Sequence, residues 1–199
     1  MIKKETLVDM YFNKKLSMKE ISKKLGISVN KVSYWMRVHD LSRRSISESV
    51  YLKNNPKGDP FSFTCPGTQE EAILFGLGLG LYWGEGTKAN KYSVRLGNTD
   101  PKLVITFILF LETFFKVPRK DMRFGIQVFN TTEAGDTLKF WKRELKVSTG
   151  QFMKTVITPS RGIGSYKRKI EHGVLTVYYN NKKMRDVLVN EIEKLRKIR

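Results

Sequence analysis

The sequence predicts an α+β chain in two parts. An all-helical N-terminal domain occupies residues 1–45, and a larger domain of helices and sheet occupies 68–199. Three observations predict it. Three short helices, the second and third opened by their own cap signals, fit within the first 45 residues. Proline and glycine then crowd the segment 46–67, in Asn54-Asn55-Pro56-Lys57-Gly58-Asp59-Pro60 and again in Cys65-Pro66-Gly67, which reads as a linker. Beyond residue 68 the apolar residues switch repeatedly between helical spacing and strict alternation.

Composition narrows the class. Of 199 residues, 40% are hydrophobic, enough for a real core and too many for a disordered polycation. Lys plus Arg number 37 against 19 Asp plus Glu, a net charge of +18. The excess is shared: residues 1–60 hold 13 basic and 6 acidic side chains, and the remainder 24 and 13. Both parts therefore attract polyanions, and counterion release from a phosphate backbone is the usual gain of such a balance. The blander alternative is a ribosomal-type or merely soluble basic protein. The single cysteine, Cys65, cannot form an internal disulfide, and no Cys/His set has zinc-ligand spacing. His39 and His172 stand alone, as packing or surface residues do. Met1-Ile2-Lys3-Lys4-Glu5 turns charged too soon for a signal peptide, and the apolar run Ile73–Trp83 is too short for a bilayer. A soluble intracellular protein, cytoplasmic or nucleoid-associated and without a membrane partner, is expected.

In the first domain, Thr6–Asn13 reads as a short amphipathic helix. Ser17-Met18-Lys19-Glu20 is a capping box that opens a second helix, which runs through Ile21 and Leu25 and stops at Gly26. Ser28 is the N-cap of a third helix, with Val32, Trp35 and Met36 on one side. Asn30, Lys31, Ser33, Tyr34 and Arg37 occupy the other. Ile21, Leu25, Ile27, Val32 and Trp35 surround the glycine turn, as two helices crossing over a shared mini-core require, and Ser22 is small where they approach. This stretch of about 35 residues resembles the helix-turn-helix family. The resemblance implies that the polar and basic face of the third helix reads a major groove, with Arg43 and Arg44 on phosphates. An ordinary helical hairpin with a charged outer face has the same spacing.

In the second domain, Thr68-Gln69-Glu70-Glu71 is another capping box, with acids where the helix dipole favours them. The helix it opens carries four internal glycines, each costing about 1 kcal/mol relative to alanine. Gly76, Gly80 and Gly84 recur every four residues and so line one face. A face without side chains lets a second helix approach nearly backbone to backbone. Glu85 stands at the end of that seam.

The stretch Gly80-Leu81-Tyr82-Trp83-Gly84-Glu85-Gly86 resembles the later part of the motif of LAGLIDADG homing endonucleases. Gly80-Leu81 matches its internal Gly-Leu, and Glu85-Gly86 its closing acidic-Gly pair. Gly78 stands where that motif begins with leucine, Trp83 replaces its first aspartate and Glu85 its last. One copy is present. The resemblance implies a homodimer through the helix bearing Gly76, Gly80 and Gly84, in which each chain gives one carboxylate, Glu85, to Mg²⁺ between the DNA strands.

The remaining elements follow in order. Tyr92–Gly97 alternates as a strand, with Tyr92, Val94 and Leu96 on one face and Ser93 and Arg95 on the other. Asp100-Pro101 opens a largely apolar helix to Phe115, ended by Val117-Pro118. Met122–Phe129 alternates again and shows Arg123 and Gln127 outward. Thr132–Lys146 reads as a helix around Leu138, Trp141 and Leu145. Phe152–Ile157 and Val174–Tyr179 read as strands, and Lys182–Lys197 as the last helix. The helix at 132–146 is one more than the minimal family unit has. The polar face of the resulting sheet carries Arg95, Arg123 and Gln127, together with Lys154, Thr176 and Tyr178, and a twisted sheet of that kind can lie along a major groove. A solvated face of a one-sided sheet has the same alternation. Arg161, Lys167, Arg168 and Lys169 sit in a glycine-containing loop suited to backbone phosphates.

The expected function is site-specific binding of double-stranded DNA with metal-dependent phosphodiester cleavage, Glu85 being the metal-holding catalytic acid. The alternative is a cleavage-inactive transcriptional regulator of the same build. An RNA-binding module is disfavoured, because no aromatic stacking platform is evident.

Overall fold

A computed structural model describes residues 1–129, 134–159 and 172–197. The chain divides into two compact units, Met1–Pro60 and Phe61–Arg199. The class is α+β: the described residues form eight α-helices and a four-stranded mixed sheet. No helix among them is long and apolar enough to cross a membrane.

The first unit is built from α1 (Lys4–Val8), α2 (Met18–Leu25), α3 (Val29–Val38) and α4 (Ile46–Asn54). The first helix starts two residues before the expected Thr6, and Asp9–Asn13 continues it as a wider turn. That turn closes through an i→i+5 bond from the Lys14 N–H to the Asp9 carbonyl, 2.8 Å. The Ser17 box forms as read: the Glu20 N–H donates to Ser17 Oγ at 3.2 Å, and the Ser17 N–H to the Glu20 carboxylate at 2.7 Å. Gly26 adopts φ +63°, the left-handed conformation that ends α2 at little cost in glycine. It turns Ile27 back onto Ser22, whose carbonyl accepts the Ile27 N–H at 3.0 Å. Leu7, Tyr11, Ile21, Val32 and Met36 are fully buried, while Leu25, Ile27 and Trp35 border them. The mini-core thus draws more on α1 than on the turn itself. The segment 46–67 is not wholly irregular: Ser45 caps α4 through the Glu48 N–H at 3.1 Å, although that helix buries no side chain.

The second unit contains α5 (Gln69–Glu85), β1 (Val94–Asn98), α6 (Pro101–Phe115), β2 (Arg123–Phe129), α7 (Ala134–Leu145), β3 (Val156–Thr158), β4 (Val174–Tyr179) and α8 (Lys182–Arg196). Strand order is β1-β4-β2-β3, with β4 antiparallel to both β1 and β2 and β3 parallel to β2. Inward side chains from three strands (Val94, Leu96, Phe124, Ile126, Val128, Leu175, Val177) are buried with α6, the most apolar helix. Four phenylalanines of α6 (Phe107, Phe110, Phe114, Phe115) form the centre, each worth roughly 2–3 kcal/mol of burial. Phe61 and Phe63 pack on Phe115, and the Ser62 and Thr64 N–H groups donate to the Phe115 and Phe114 carbonyls. The far end of the expected linker is therefore tied to this unit.

Two strands are shorter than the alternation suggested. Tyr92 is 71% exposed and outside β1, because the Asn90 side-chain oxygen takes the Tyr92 and Ser93 N–H groups at 2.8 and 3.0 Å and holds a turn there. The stretch at Phe152 makes one isolated bridge to Phe124, and the paired strand begins only at Val156. The Thr68 cap also differs from the box expected: the Glu71 N–H donates to Thr68 Oγ1, but the Glu71 carboxylate accepts from Gly67 at 2.7 Å.

Candidate nucleic-acid interface

The surface of the first unit follows from its caps. Ser28 starts α3 by accepting the Lys31 N–H at 3.2 Å, and burial of Val32 and Met36 turns the opposite face outward. Asn30, Lys31, Tyr34 and Arg37 are exposed on that face, and its charges are all positive. Ser33 is half-buried and accepts a hydrogen bond from Arg43, which ties the exposed Arg43 to the same helix. His39 packs as expected, stacked on Trp35 with a ring nitrogen 2.7 Å from the Ile2 carbonyl.

Arg44 departs from its expected phosphate role. Its guanidinium lies 4.0 Å from the centre of the Tyr11 ring and donates to the carbonyls of Lys15, Tyr11 and Leu16. Spent on three carbonyls and a ring face, it is an internal clamp on the end of the α1 segment.

In the second unit, α5 has two apolar sides. Leu79 and Tyr82 are buried, and Tyr82 stacks on Phe107 at 6.0 Å. Gly78 belongs to this inner side, since a Cβ there would lie 2.1 Å from the Phe110 ring. Gly86, the closing glycine of the motif, is needed for the same reason: a Cβ would lie 2.4 Å from the Tyr82 ring. Gly76, Gly80 and Gly84 are different. Among the described residues nothing lies within 4 Å of a Cβ built on any of them, and Ile73 (64%) and Leu77 (49%) are exposed beside them. A helix apolar all round is ordinarily covered on both sides; here the described residues of its own unit cover one.

Glu85 ends this open face. It is exposed and makes no hydrogen bond or ion pair with another described residue. The chain beyond it is fixed: Gly86 bridges to Leu96, and the Thr87 N–H donates to the Arg95 carbonyl at 2.9 Å. These contacts put the carboxylate at the β1 edge of the sheet. Basic groups gather at the same corner. Lys88 donates to the Trp83 carbonyl at the negative end of the helix dipole, and Arg185 donates to the Lys88 carbonyl at 3.0 Å. Beneath them, burial pushes the Tyr82 phenol above its ordinary pKa, against the opposing pull of Arg185. No group of three or more His, Cys, Asp or Glu comes together among the described residues. One chain thus offers a divalent ion a single carboxylate. Mg²⁺ is commonly held by one or two carboxylates with phosphate oxygens and water completing the shell, so a lone glutamate can serve it only with oxygens from elsewhere.

The outer face of the sheet is set by register. Arg95, Tyr178 and Arg123 pair across β1, β4 and β2 in one row. Gly97, Thr176 and Gly125 form the next row, and Val174, Gln127 and Val156 the third. The Arg95 guanidinium sits 5.2 Å from the Tyr178 ring centre, and Gln127 donates to Thr158 Oγ1 at 2.8 Å. Lys154 is exposed, just before β3. Arg161, Lys167, Arg168 and Lys169 lie outside the described residues. The support beneath Arg95 departs from strict alternation. Alternation predicts Ser93 on the solvent face, yet it is 2% exposed and joins Asn90 to Arg95. The Asn-x-x-Ser spacing of a side-chain turn was the available signal.

No known protein family, curated protein or solved structure matches the chain.

Proposed function

We propose that this chain is a site-specific binder of duplex DNA that acts as a homodimer and cleaves phosphodiesters with Mg²⁺. The observation carrying this reading is the uncovered glycine face of α5 ending in a free carboxylate at the sheet edge. Two such faces in contact bury Ile73 and Leu77 from each copy and bring two Glu85 side chains to one centre. The polar sheet face and the basic face of α3 supply duplex contacts, and net charges of +7 and +11 in residues 1–60 and 61–199 supply non-specific attraction. Glu85 from each copy would hold Mg²⁺, which when bound polarises a phosphate and lowers the pKa of water. The chain's own part is to deliver the carboxylate: Gly86 and Thr87 pin its backbone to β1, and Lys88 and Arg185 fix the turn and add positive charge for the phosphate.

The test uses sites selected from a duplex library by the purified protein, presented with Mg²⁺ or EDTA. The reading expects metal-dependent cutting that Glu85→Gln abolishes while binding remains. A bound site left intact with Mg²⁺ removes the nuclease and leaves a regulator. Sedimentation as a monomer on that site removes the dimer.

A further inference from the structure

We propose that Arg95 reads a guanine in the major groove of the bound duplex, the arginine being set for that task before DNA arrives. The inference rests on the duplex-binding reading above and assigns one base contact within it.

Arg95 differs from the other arginines in how it is held. Arg119, Arg143, Arg185 and Arg196 donate to carboxylates. Arg44 is used up on backbone carbonyls, and Arg43 gives a terminal nitrogen to Ser33. Arg37 and Arg123 make no hydrogen bond with another described residue. Arg95 alone among the described arginines is fixed through Nε only, at 2.8 Å from Ser93 Oγ, with neither terminal nitrogen bonded to another described residue. Those two nitrogens are the pair a guanine O6 and N7 accept from end-on.

The support is layered. Ser93 is buried and bonded to the Asn90 side-chain oxygen at 3.1 Å, so the atom that holds Nε is itself held. The guanidinium lies over the Tyr178 ring, which limits its tilt. Tyr178 leans across Gly125, where a Cβ would stand 3.0 Å from Tyr178 Cε2 and 3.4 Å from the hydroxyl. Glycine at 125 therefore gives the ring its floor. Gly97 and Gly125 flank Thr176 in the next row, and the space a side chain would take is held by Thr176 at Gly97 and by Tyr178 and Met153 at Gly125, which packs the row beside the arginine. Ordering a long side chain on binding has an entropic cost, which folding has already met here. A fixed fork with neutral partners selects a base, whereas a free cation such as Arg123 suits a phosphate, whose position is the same for every sequence.

The experiment selects duplexes from a library of random 30-base-pair cores with the full-length wild-type chain, Arg95→Gln, Ser93→Ala and Arg123→Gln, all checked for native circular dichroism. The wild-type motif is expected to contain a G·C pair per half-site that Arg95→Gln alone relaxes or turns towards A·T. About 5- to 150-fold of discrimination is lost at that pair, with the other positions unchanged. Ser93→Ala weakens preference at the same pair without removing the charge, and it decides the matter if Arg95→Gln does not fold. Arg123→Gln lowers affinity for all sequences alike. An unchanged motif, with Arg95→Gln and Ser93→Ala weakening binding uniformly or not at all, overturns the assignment and leaves the duplex-binding reading standing. A wild-type chain that enriches no motif brings down both.

Discussion

Gly78 and Gly80 stand two residues apart in one helix, yet alanine at each should change stability in opposite directions. At Gly80 a methyl group meets no described residue within 4 Å, so the helix gains its ordinary propensity difference, about 1 kcal/mol. At Gly78 the new Cβ would lie 2.1 Å from Phe110 Cγ and 2.7 Å from Phe110 Cβ. Phe110 cannot swing clear: its Cβ is anchored to α6, and its ring is enclosed by those of Phe75, Phe107, Phe114 and Phe115 at 5.6–5.9 Å. Overpacking of this kind costs up to about 3 kcal/mol. Less the propensity gain, about 2 kcal/mol of net destabilisation remains. At roughly 4 °C per kcal/mol for a unit of this size, Gly80→Ala should raise the melting temperature by about 4 °C and Gly78→Ala should lower it by about 8 °C. Differential scanning calorimetry below the association concentration measures both on the transition of the second unit. Destabilisation by Gly80→Ala in that regime would mean the chain covers its own glycine face, and the account of α5 would fail.

Arg44→Ala should destabilise the first unit by about 2 kcal/mol, because three carbonyls lose their donor and Tyr11 its cation. Faster hydrogen exchange at the Ile21 and Val32 amides reads this without DNA, and unchanged exchange would contradict the clamp. Lys31→Ala and Arg37→Ala should each weaken duplex binding and reduce the slope of log K against log salt by about 1; an unchanged slope would remove the residue from the phosphate contacts. Glu20 responds to pH. The Ser17 hydroxyl, then the Ser17 N–H, holds its carboxyl below the ordinary glutamate value. Its contribution is therefore present above the unfolded pKa and fades as pH falls through the folded one. Glu20→Gln should flatten that acid limb of urea-unfolding stability, by a small amount because the group is exposed. An acid limb as steep as in the wild type would deny the carboxylate that role.

Caps and turns were legible because their signals are local. Ser17, Gly26, Ser28, Asp100 and Pro101 each act within four residues and do so in the structure as in the sequence. The inward residues of β2 and β4 were legible for the same reason, since alternation has a fixed period. Arg44 was not: position after a polar helix suggested a phosphate contact, while its partners Tyr11, Lys15 and Leu16 lie about thirty residues away along the chain. Ser93 was misplaced because alternation was extended into a turn that Asn90 controls. Glycine spacing singled out the seam of α5 and left Gly78 off it, but the reason glycine stands at 78, the Phe110 ring of another helix, has no local signal.

β4 is held on both sides, by β1 and by β2, so its register cannot slide without breaking two ladders. Positions 95, 97, 123, 125 and 127 all lie on the face away from the core. Point changes at 95, 123 and 127 therefore alter the chemistry of that face while the hydrophobic interior stays as it was, whereas 97 and 125 are held to glycine by the side chains of Thr176, Tyr178 and Met153. If that face binds a duplex as proposed, recognition is in this way separated from folding, and a descendant of this chain could move to a new target by trading those three residues singly, without a compensating change inside.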